Sequence, residues 1–472
     1  MQSLAPYIVP LWSNTDSPQV AWTPLLLSTH TVKLFASIAG LCILSLSALR
    51  AQDQVAADTA ATTDTPSVEM DSGSDASIAP EETLTPAELA PPTTPDEADS
   101  LEQSLYGQQE AQDEATAEPN AQSRNWKFNL HASAGSHYDD NIFISHTGQQ
   151  SDVISRLTAG GGVTVGDYTD RQNNYFISDY TGIGDLFGRH SYDDAYEQNA
   201  SAESKLLFGN LTVSGNILFQ DLADEDIEIG TRTRRQLYTA NGGARYDFSD
   251  KAYLEATAQV NVAHYDLYLG SNDERGGLSL NYLPDSNVTV GLGVVGGILN
   301  VQGSSSQTYE QILASLQLAA TSKFTLKASA GLEDRQVTND GSLLTPVLDI
   351  GCDYKPFEEL DINLSAFRHV VNSAYYTDSD YVDTGVGAGV QYAMSARFTS
   401  LLSLGYTNSD YRGFTYGISR DDNYFFLRPA LRYTASTYCY VELYYFYRNN
   451  ASTVDTSSFN DTQTGMSVNL TY

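Results

Sequence analysis

The chain has 472 residues, and 25 Lys and Arg against 59 Asp and Glu give a net charge of −34, although charged residues make up only 18% of the total. This balance excludes a nucleic-acid-binding protein, which needs basic residues to replace the counterions on phosphate. With 3 Cys and no pair at metal-ligand spacing, disulfide scaffolds, zinc ribbons and CxxC redox centres are excluded too.

The N-terminal part has the pattern of a targeting segment. Residues 32–51 contain a positive charge at Lys33, a mostly apolar run and a small residue at Ala51, which predicts a signal peptide. The run is too short and too rich in Ser for a transmembrane helix. Residues 1–31 show no pattern of their own, and we interpret them as a non-native extension that precedes a natural start at Val32.

An acidic linker is predicted over residues 52–124. From Ala51 to Ser123 the sequence has 17 Asp and Glu and no Lys or Arg, among many Ala, Thr, Pro and Ser. Such a segment buries too little apolar surface to offset its ordering entropy, so we expect it to be disordered. It accounts for about half of the net charge.

From Trp126 onward, apolar and polar residues alternate over long stretches. Residues 324–333 and 254–262 each show this period of two over nine or ten positions. The pattern predicts strands with one apolar and one polar face, and strands in soluble proteins usually end after five or six residues. Residues 125–472 are therefore predicted to form an all-β transmembrane antiparallel barrel, in which lipid covers the apolar face.

The spacing of the turns predicts the strand number. Short turns recur at regular intervals and alternate with longer connections; we place them near Asp170, Gly209, Asp250, Asp285, Ser322, Pro356, Ala396 and Ser436. Nine hairpins between Trp126 and Tyr472 make about 18 strands, with 16 as the alternative. An even number with both termini on the short-turn side is the arrangement of bacterial outer-membrane barrels.

Aromatic residues and carboxylates mark the two ends of the predicted barrel. Tyr and Phe cluster beside the short turns, as in an interfacial girdle, and the last strand ends in an aromatic residue, Tyr472. Asp and Glu collect in the longer connections, which we expect to have 10 to 16 residues and to face outward. These carboxylates either form turns and keep the loops soluble, or bridge divalent cations to the headgroups of the outer leaflet.

The first hairpin indicates a family. Its loop motif is formed by Tyr138, Asp139, Asp140, Asn141, Ile142 and Phe143, and residues 151–154 and 159–162 follow it. This hairpin resembles the opening of the putative β-barrel porin type two family, which implies an outer-membrane barrel of the kind found with exopolysaccharide export systems. In physical terms, the Asp and Asn side chains favour local turns, and Ile142 and Phe143 are candidates for a hydrophobic constriction.

Charged residues on the polar face are candidates for the lumen wall. They are Arg156, Glu203, Arg235, Arg245, Glu255, Lys327, Glu333, Asp349, Asp353, Arg428, Arg432, Glu442 and Arg448. Mixed charges on facing walls create a transverse field in a water-filled pore. The alternative is that they brace the wall as salt bridges, as Arg428 and Arg432 facing Glu442 suggest. Tyr444 and Phe446 beside them suggest stacking on sugar rings.

Motifs for catalysis or cofactors are not found. Residues 291–296 match the dinucleotide-binding glycine pattern by letters alone, because no helix follows them. The His residues lack metalloprotease spacing, and no GxSxG elbow occurs. We therefore predict no enzyme activity, no cofactor, no catalytic residues and no metal site.

Two functions remain open. The first is a porin-like channel for small polar solutes. The second is a barrel that serves exopolysaccharide export or surface assembly without being a free diffusion pore. Either would lie in the bacterial outer membrane, with the linker in the periplasm and the long loops outside. The expected partners are outer-membrane lipid and the barrel assembly machinery, with polysaccharide or periplasmic export partners under the second hypothesis.

Overall fold

The structure is a computed structural model that describes residues 125–168, 171–337, 341–413 and 419–472. The predicted extension (1–31), signal peptide (32–51) and linker (52–124) lie outside the described residues.

Eighteen long strands form one closed antiparallel sheet. They are β1 (Trp126–Asp139), β2 (Asp152–Gly166), β3 (Tyr175–Phe187), β4 (Ala195–Phe208), β5 (Leu211–Leu222), β8 (Arg235–Ser249), β9 (Ala252–Tyr265), β10 (Ser271–Asp285), β11 (Val288–Val301), β12 (Gln307–Thr321), β13 (Phe324–Val337), β14 (Gly341–Phe357), β15 (Leu360–Asn372), β16 (Ser379–Ser395), β17 (Phe398–Gly413), β18 (Asp421–Ser436), β19 (Cys439–Ser452) and β20 (Phe459–Thr471). Two short strands, β6 (Glu225–Asp226) and β7 (Thr231–Arg232), form a separate ribbon. The predicted 18-stranded barrel is confirmed, and the 16-stranded alternative is wrong.

The first and last strands close the barrel. Each long strand pairs with the next one along the chain, and β1 pairs with β20 from His131 opposite Thr471 to Asp139 opposite Gln463. The backbone groups of Leu130 and Tyr472 exchange two hydrogen bonds of 2.8 Å at the end of this seam. No edge strand is left at this seam, as a sheet in hydrocarbon requires.

The period of two separates the faces of the barrel. On β1, Phe128 and Leu130 are more than half exposed and point outward, whereas the intervening side chains point inward. Leu443 and Tyr445 on β19 occupy the same outer face. Successive side chains of a strand alternate between faces, so the exposed apolar residues identify the lipid side and the other positions form the lumen wall.

The two ends of the barrel differ in their connections. Seven of the predicted short turns lie at or beside connections of two residues: 209–210, 250–251, 286–287, 322–323, 358–359, 396–397 and 437–438. Near Asp170 the connection spans 167–174, of which 169–170 lie outside the described residues. Both ends of the described sheet, at Trp126 and Thr471, lie on this side, which we call the short-turn end. The opposite side is the loop end.

Several connections at the loop end are shorter than predicted. The connection between β11 and β12 spans only 302–306, and Asp273 and Glu274 lie in β10 rather than in a connection. The strands continue because their alternating pattern persists into these polar residues. In the described part of the chain, no helix is both long and apolar enough to cross a membrane.

Candidate functional site: a strap across the loop end

The connection between β5 and β8, residues 223–234, folds across the lumen, and we call it the strap. Its two arms pair in the ribbon β6–β7, where Thr233 N donates to Asp224 O at 3.0 Å. Asp226 closes the tip, because its carbonyl accepts from Gly230 N at 2.8 Å and its carboxylate accepts from Ile229 N at 3.0 Å. The strap is therefore a hairpin held by its own hydrogen bonds, with residues 227–230 at its tip.

The tip reaches distant parts of the wall. Glu228 accepts hydrogen bonds from the Ser373 hydroxyl and from Ala374 N, the latter at 2.9 Å, in the connection between β15 and β16. Glu225 accepts from Arg448 on β19 at 3.1 Å. Along the wall, five strands separate β5 from β19 and six separate β8 from β15. Contacts over such distances show that the strap spans the lumen.

Apolar side chains pack around the strap where it crosses the lumen. Ile227 on the strap and Ile144 from the β1–β2 connection are almost completely buried in one cluster. The remaining buried members are inward-facing aromatic side chains of four strands: Phe367, Tyr424, Phe426, Phe446 and Phe459. Ile144 has a φ of 44°, which is strained for a β-branched residue. The burial of Ile144 in the cluster offsets this strain, which is expected to cost about 1–3 kcal/mol.

Ion pairs fix the root of the strap. Arg232 binds Glu225 and lies over the Phe187 ring, with 5.0 Å from the guanidinium carbon to the ring centroid. Arg448 pairs with both Glu225 and Asp461, at 3.1 and 2.6 Å. Burial opposes ionisation of Glu225, but Arg232 and Arg448 outweigh it and lower its pKa to about 2. Glu225 therefore stays charged at any pH near neutrality.

The predicted loop motif lies beside the strap. Tyr138 is half exposed on the lipid side, Asp139 is buried at the end of β1, and Asp140 is half-buried. Asn141 exchanges hydrogen bonds of 2.9 and 3.0 Å with the Ser145 backbone.

The apolar residues of the motif pack at the side of the barrel. Ile142 is fully buried against Ile154 and Phe187, with Phe143 half-buried beside them. The residue of this connection that joins the cluster at the strap is Ile144, which sequence reasoning missed.

All thirteen lumen candidates lie on the face opposite the exposed apolar side chains. Most have a partner of opposite charge: Arg156 with Asp185, Glu203 with Arg171, Arg235 with Asp224, Arg245 with Asp247, Glu333 with Arg335, Arg428 and Arg432 with Glu442, and Arg448 with Asp461. Asp349 lies 3.9 Å from the His369 ring. Glu255 is opposite Arg245 in the β8–β9 pairing, and Asp353 accepts a hydrogen bond from Asn363. In the described ranges Lys327 forms no ion pair.

Three of these candidates form a compact group nearer the short-turn end. Glu442 accepts from Arg428 at 2.8 Å through one oxygen and from Arg432 at 3.0 Å through the other. Arg428 lies over the Tyr444 ring at 4.7 Å and Arg432 over the Tyr440 ring at 4.4 Å. The structure thus has the bracing arrangement at this point of the wall.

Carboxylates expected in outward loops are in part buried. Asp139, Asp226, Glu228, Asp380 and Asp422 are at most 4% exposed. This corrects the expectation that the Asp and Glu side chains at the loop end face solvent. The cause is the inward folding of the connections, which places these carboxylates against the donors of the opposite wall.

One group of carboxylates has the spacing of a metal site. Ligand atoms of Asp139, Asp140 and Asp461 lie within 4.8 Å of one another. Protein donors already serve two of them, because the Gln463 amide donates to Asp139 at 3.1 Å and to Asp461 at 3.2 Å. Arg448 is a second donor to Asp461. We therefore assign no metal to this group.

A family model supports the interpretation as a barrel. The model described as "Putative beta-barrel porin 2" matches residues 305–472. It confirms the family resemblance, although the matched residues do not include the opening hairpin from which the resemblance was predicted. The chain is a porin-like outer-membrane β-barrel.

Solved structures similar to this porin-like barrel are distant in sequence. OccAB3 from Acinetobacter baumannii is 10% identical, with a TM-score of 0.40 and coverage of 74% of this chain and 99% of its own. The outer membrane protein opdK from Pseudomonas aeruginosa is 11% identical, with a TM-score of 0.39 and coverage of 73% and 99%. The siderophore receptor PirA from the same organism is 10% identical, with a TM-score of 0.35 and coverage of 75% and 81%. No curated protein matches the porin-like barrel in sequence.

Proposed function

We propose that this porin-like barrel is a passive channel for small polar solutes, narrowed at its loop end by the strap. The observation that supports it most is the closed wall of 18 strands with charged side chains on its inner face. A barrel of this size is wide enough for an aqueous channel unless something fills it. With the termini in the periplasm, the loop end and the strap face the outside of the cell.

The strap determines where such a channel is narrowest. Ile227 and Ile144 fill the loop end with apolar side chains, whereas the Arg428, Arg432 and Glu442 group nearer the short-turn end is polar. Apolar constrictions exclude water and ions more strongly than charged walls do. The resistance of the channel is therefore expected to come from the strap.

Conductance in planar bilayers tests this function. In one variant, residues 225–232 are replaced by a short Gly-Ser turn that joins the two arms of the strap. We expect its time-averaged conductance to exceed that of the unaltered protein by about tenfold or more, because the apolar constriction is gone. Heat-modifiable migration on a gel checks that both proteins are folded. Silence of both folded proteins would overturn the channel function.

A second candidate is a barrel that serves exopolysaccharide export or surface assembly. The observation that favours it is the inward aromatic surface, where Phe446 is buried and Tyr444 packs against the same cluster. Sugar rings stack on such side chains in the way that other flat apolar surfaces do. Under this function the acidic linker would tether periplasmic export partners.

Affinity electrophoresis separates the second candidate from the first. The second candidate would be favoured if an acidic polysaccharide in the gel retarded the folded barrel and if Tyr444→Ala abolished this retardation. The strap-shortened variant would also have to remain silent in bilayers. Unchanged migration of both proteins would leave the channel as the better explanation.

A further inference from the structure

We propose that the strap is a proton-controlled gate, which closes the loop end while Glu228 is uncharged and leaves the lumen when Glu228 ionises. This inference rests on the proposed channel function. It concerns a single side chain at the tip of the strap and the way in which the opposite wall holds it.

Few groups hold Glu228 at the opposite wall. Glu228 is 4% exposed, and its two oxygens accept from the Ser373 hydroxyl and from Ala374 N. Ser373 is fully buried, and its oxygen itself accepts from Tyr375 N at 3.1 Å and Tyr376 N at 2.8 Å. These backbone donors orient the hydroxyl, so its proton points to Glu228. Glu228 thus joins the tip to the wall through polar contacts that depend on its own charge state.

The surroundings of Glu228 disfavour its charge. Asp226 lies on the strap itself, and Tyr411 of β17 and Arg420 before β18 are the ionisable groups that face it from the wall. Arg420 is engaged elsewhere, because it pairs with Asp422 at 2.6 Å and lies over the Tyr411 ring at 4.6 Å. Among the described residues, no Lys or Arg forms an ion pair with Glu228.

The direction of the pH dependence follows from these contacts. Burial and the negative charge of Asp226 raise the pKa of Glu228 to about 8, against the opposing effects of Ser373, Ala374 and Arg420. In an open strap, Glu228 would be in water with an ordinary pKa of about 4.3. Closing therefore takes up a proton. The closed state is fully favoured at low pH, and its ratio to the open state falls by up to about tenfold per pH unit between these two values.

The ion pairs of Glu225 do not change in this range. Glu225 has a pKa of about 2, so its pairs with Arg232 and Arg448 persist from acid to alkaline pH. Ile227 has no charge to change. These contacts hold the strap in place when Glu228 is protonated, and Glu228 makes the closure depend on pH.

Conductance between about pH 5 and about pH 9 tests the gate in the full-length processed protein. We expect the open fraction of the unaltered protein to rise with pH. Glu228→Gln should lose the rise with pH, because its neutral amide never ionises, while the amide oxygen can still accept from Ala374 N. Asp455→Asn, which removes an exposed carboxylate of the β19–β20 connection, should follow the unaltered protein.

A second variant separates ionisation from a loss of packing. Ser373→Ala removes a hydrogen-bond donor that stabilises charged Glu228, so the channel should open at a higher pH. If the substitution only loosened the tip of the strap, the channel would instead be open at every pH. An unchanged pH profile in Glu228→Gln would overturn the gate. The gate would also be overturned if the conductance of the unaltered protein did not change with pH while the strap-shortened variant conducted. The channel function would then stand. Silence of every folded variant at every pH would overturn the channel function together with the gate.

Discussion

The two ends of the lumen hold their charges in different ways. Nearer the short-turn end, Glu442 binds Arg432 and Arg428, which are 10 and 14 residues away in the sequence and lie on the neighbouring strand. At the loop end, Glu225 binds Arg448 over 223 residues, and Glu228 binds Ser373 over 145 residues. The first set braces the wall within one hairpin, and the second joins opposite parts of the wall across the lumen.

This difference separates stability from closure. Contacts within a hairpin form wherever the register of two strands is set, so they stabilise the wall and leave the lumen free. Contacts across the lumen form only when the strap lies in place. Changes at the loop end should therefore affect conductance, and changes nearer the short-turn end should affect stability alone.

The largest effect on stability is expected for Arg448→Ala. This variant leaves Asp461 and Glu225 without their shared cation, and both carboxylates are largely buried. Removing one partner from a buried ion pair costs about 3–5 kcal/mol. Urea unfolding in lipid vesicles, followed by the fluorescence of Trp126, measures the free energy of unfolding. The same variant should also raise the open fraction in bilayers. If the Arg448→Ala protein were as stable as the unaltered protein and fully closed, this would contradict the claim that Arg448 holds the strap across the lumen.

A smaller effect is expected for Glu442→Gln. The amide keeps the shape of the side chain but removes the charge shared by Arg428 and Arg432, and hydrogen bonds to charged groups contribute about 1.5–3 kcal/mol. The free energy of unfolding should fall by an amount of this order, measured in the same urea experiment. Conductance and its pH profile should be unchanged. A marked rise in the open fraction would show that the two ends are not independent.

The wall was largely predictable from the sequence. The period of two in β9 and β13 fixes which side chains point inward, and the short turns fix the register between neighbours, so all thirteen lumen candidates share one face. Pairs such as Arg428 with Glu442 follow from that register. The even strand number follows from both ends of the described sheet lying at the short-turn end.

The strap was not predictable in the same way. Asp226 and Glu228 have the composition of an exposed loop, and their burial depends on Tyr265, Ser373 and Ala374, which are distant in sequence. The alternation of apolar and polar residues in the sequence does not predict such contacts. The local signal in the sequence was Ile227 and Ile229, two apolar residues in an otherwise acidic run, and both pack against buried clusters in the structure.

A reversible covalent link tests the crossing of the lumen most directly. A Cβ atom placed on Gly230 lies 4.0 Å from Cα of Ser457, so the two residues are neighbours across the lumen, and the φ of 77° at Gly230 means that a Cys there strains the backbone. The variant Gly230→Cys with Ser457→Cys is made in a background in which the free Cys352 and Cys439 are replaced by Ser. At alkaline pH we predict that the oxidised protein stays closed and that reduction restores the conductance of the background protein. Equal conductance before and after reduction of a fully formed disulfide would contradict closure by the strap.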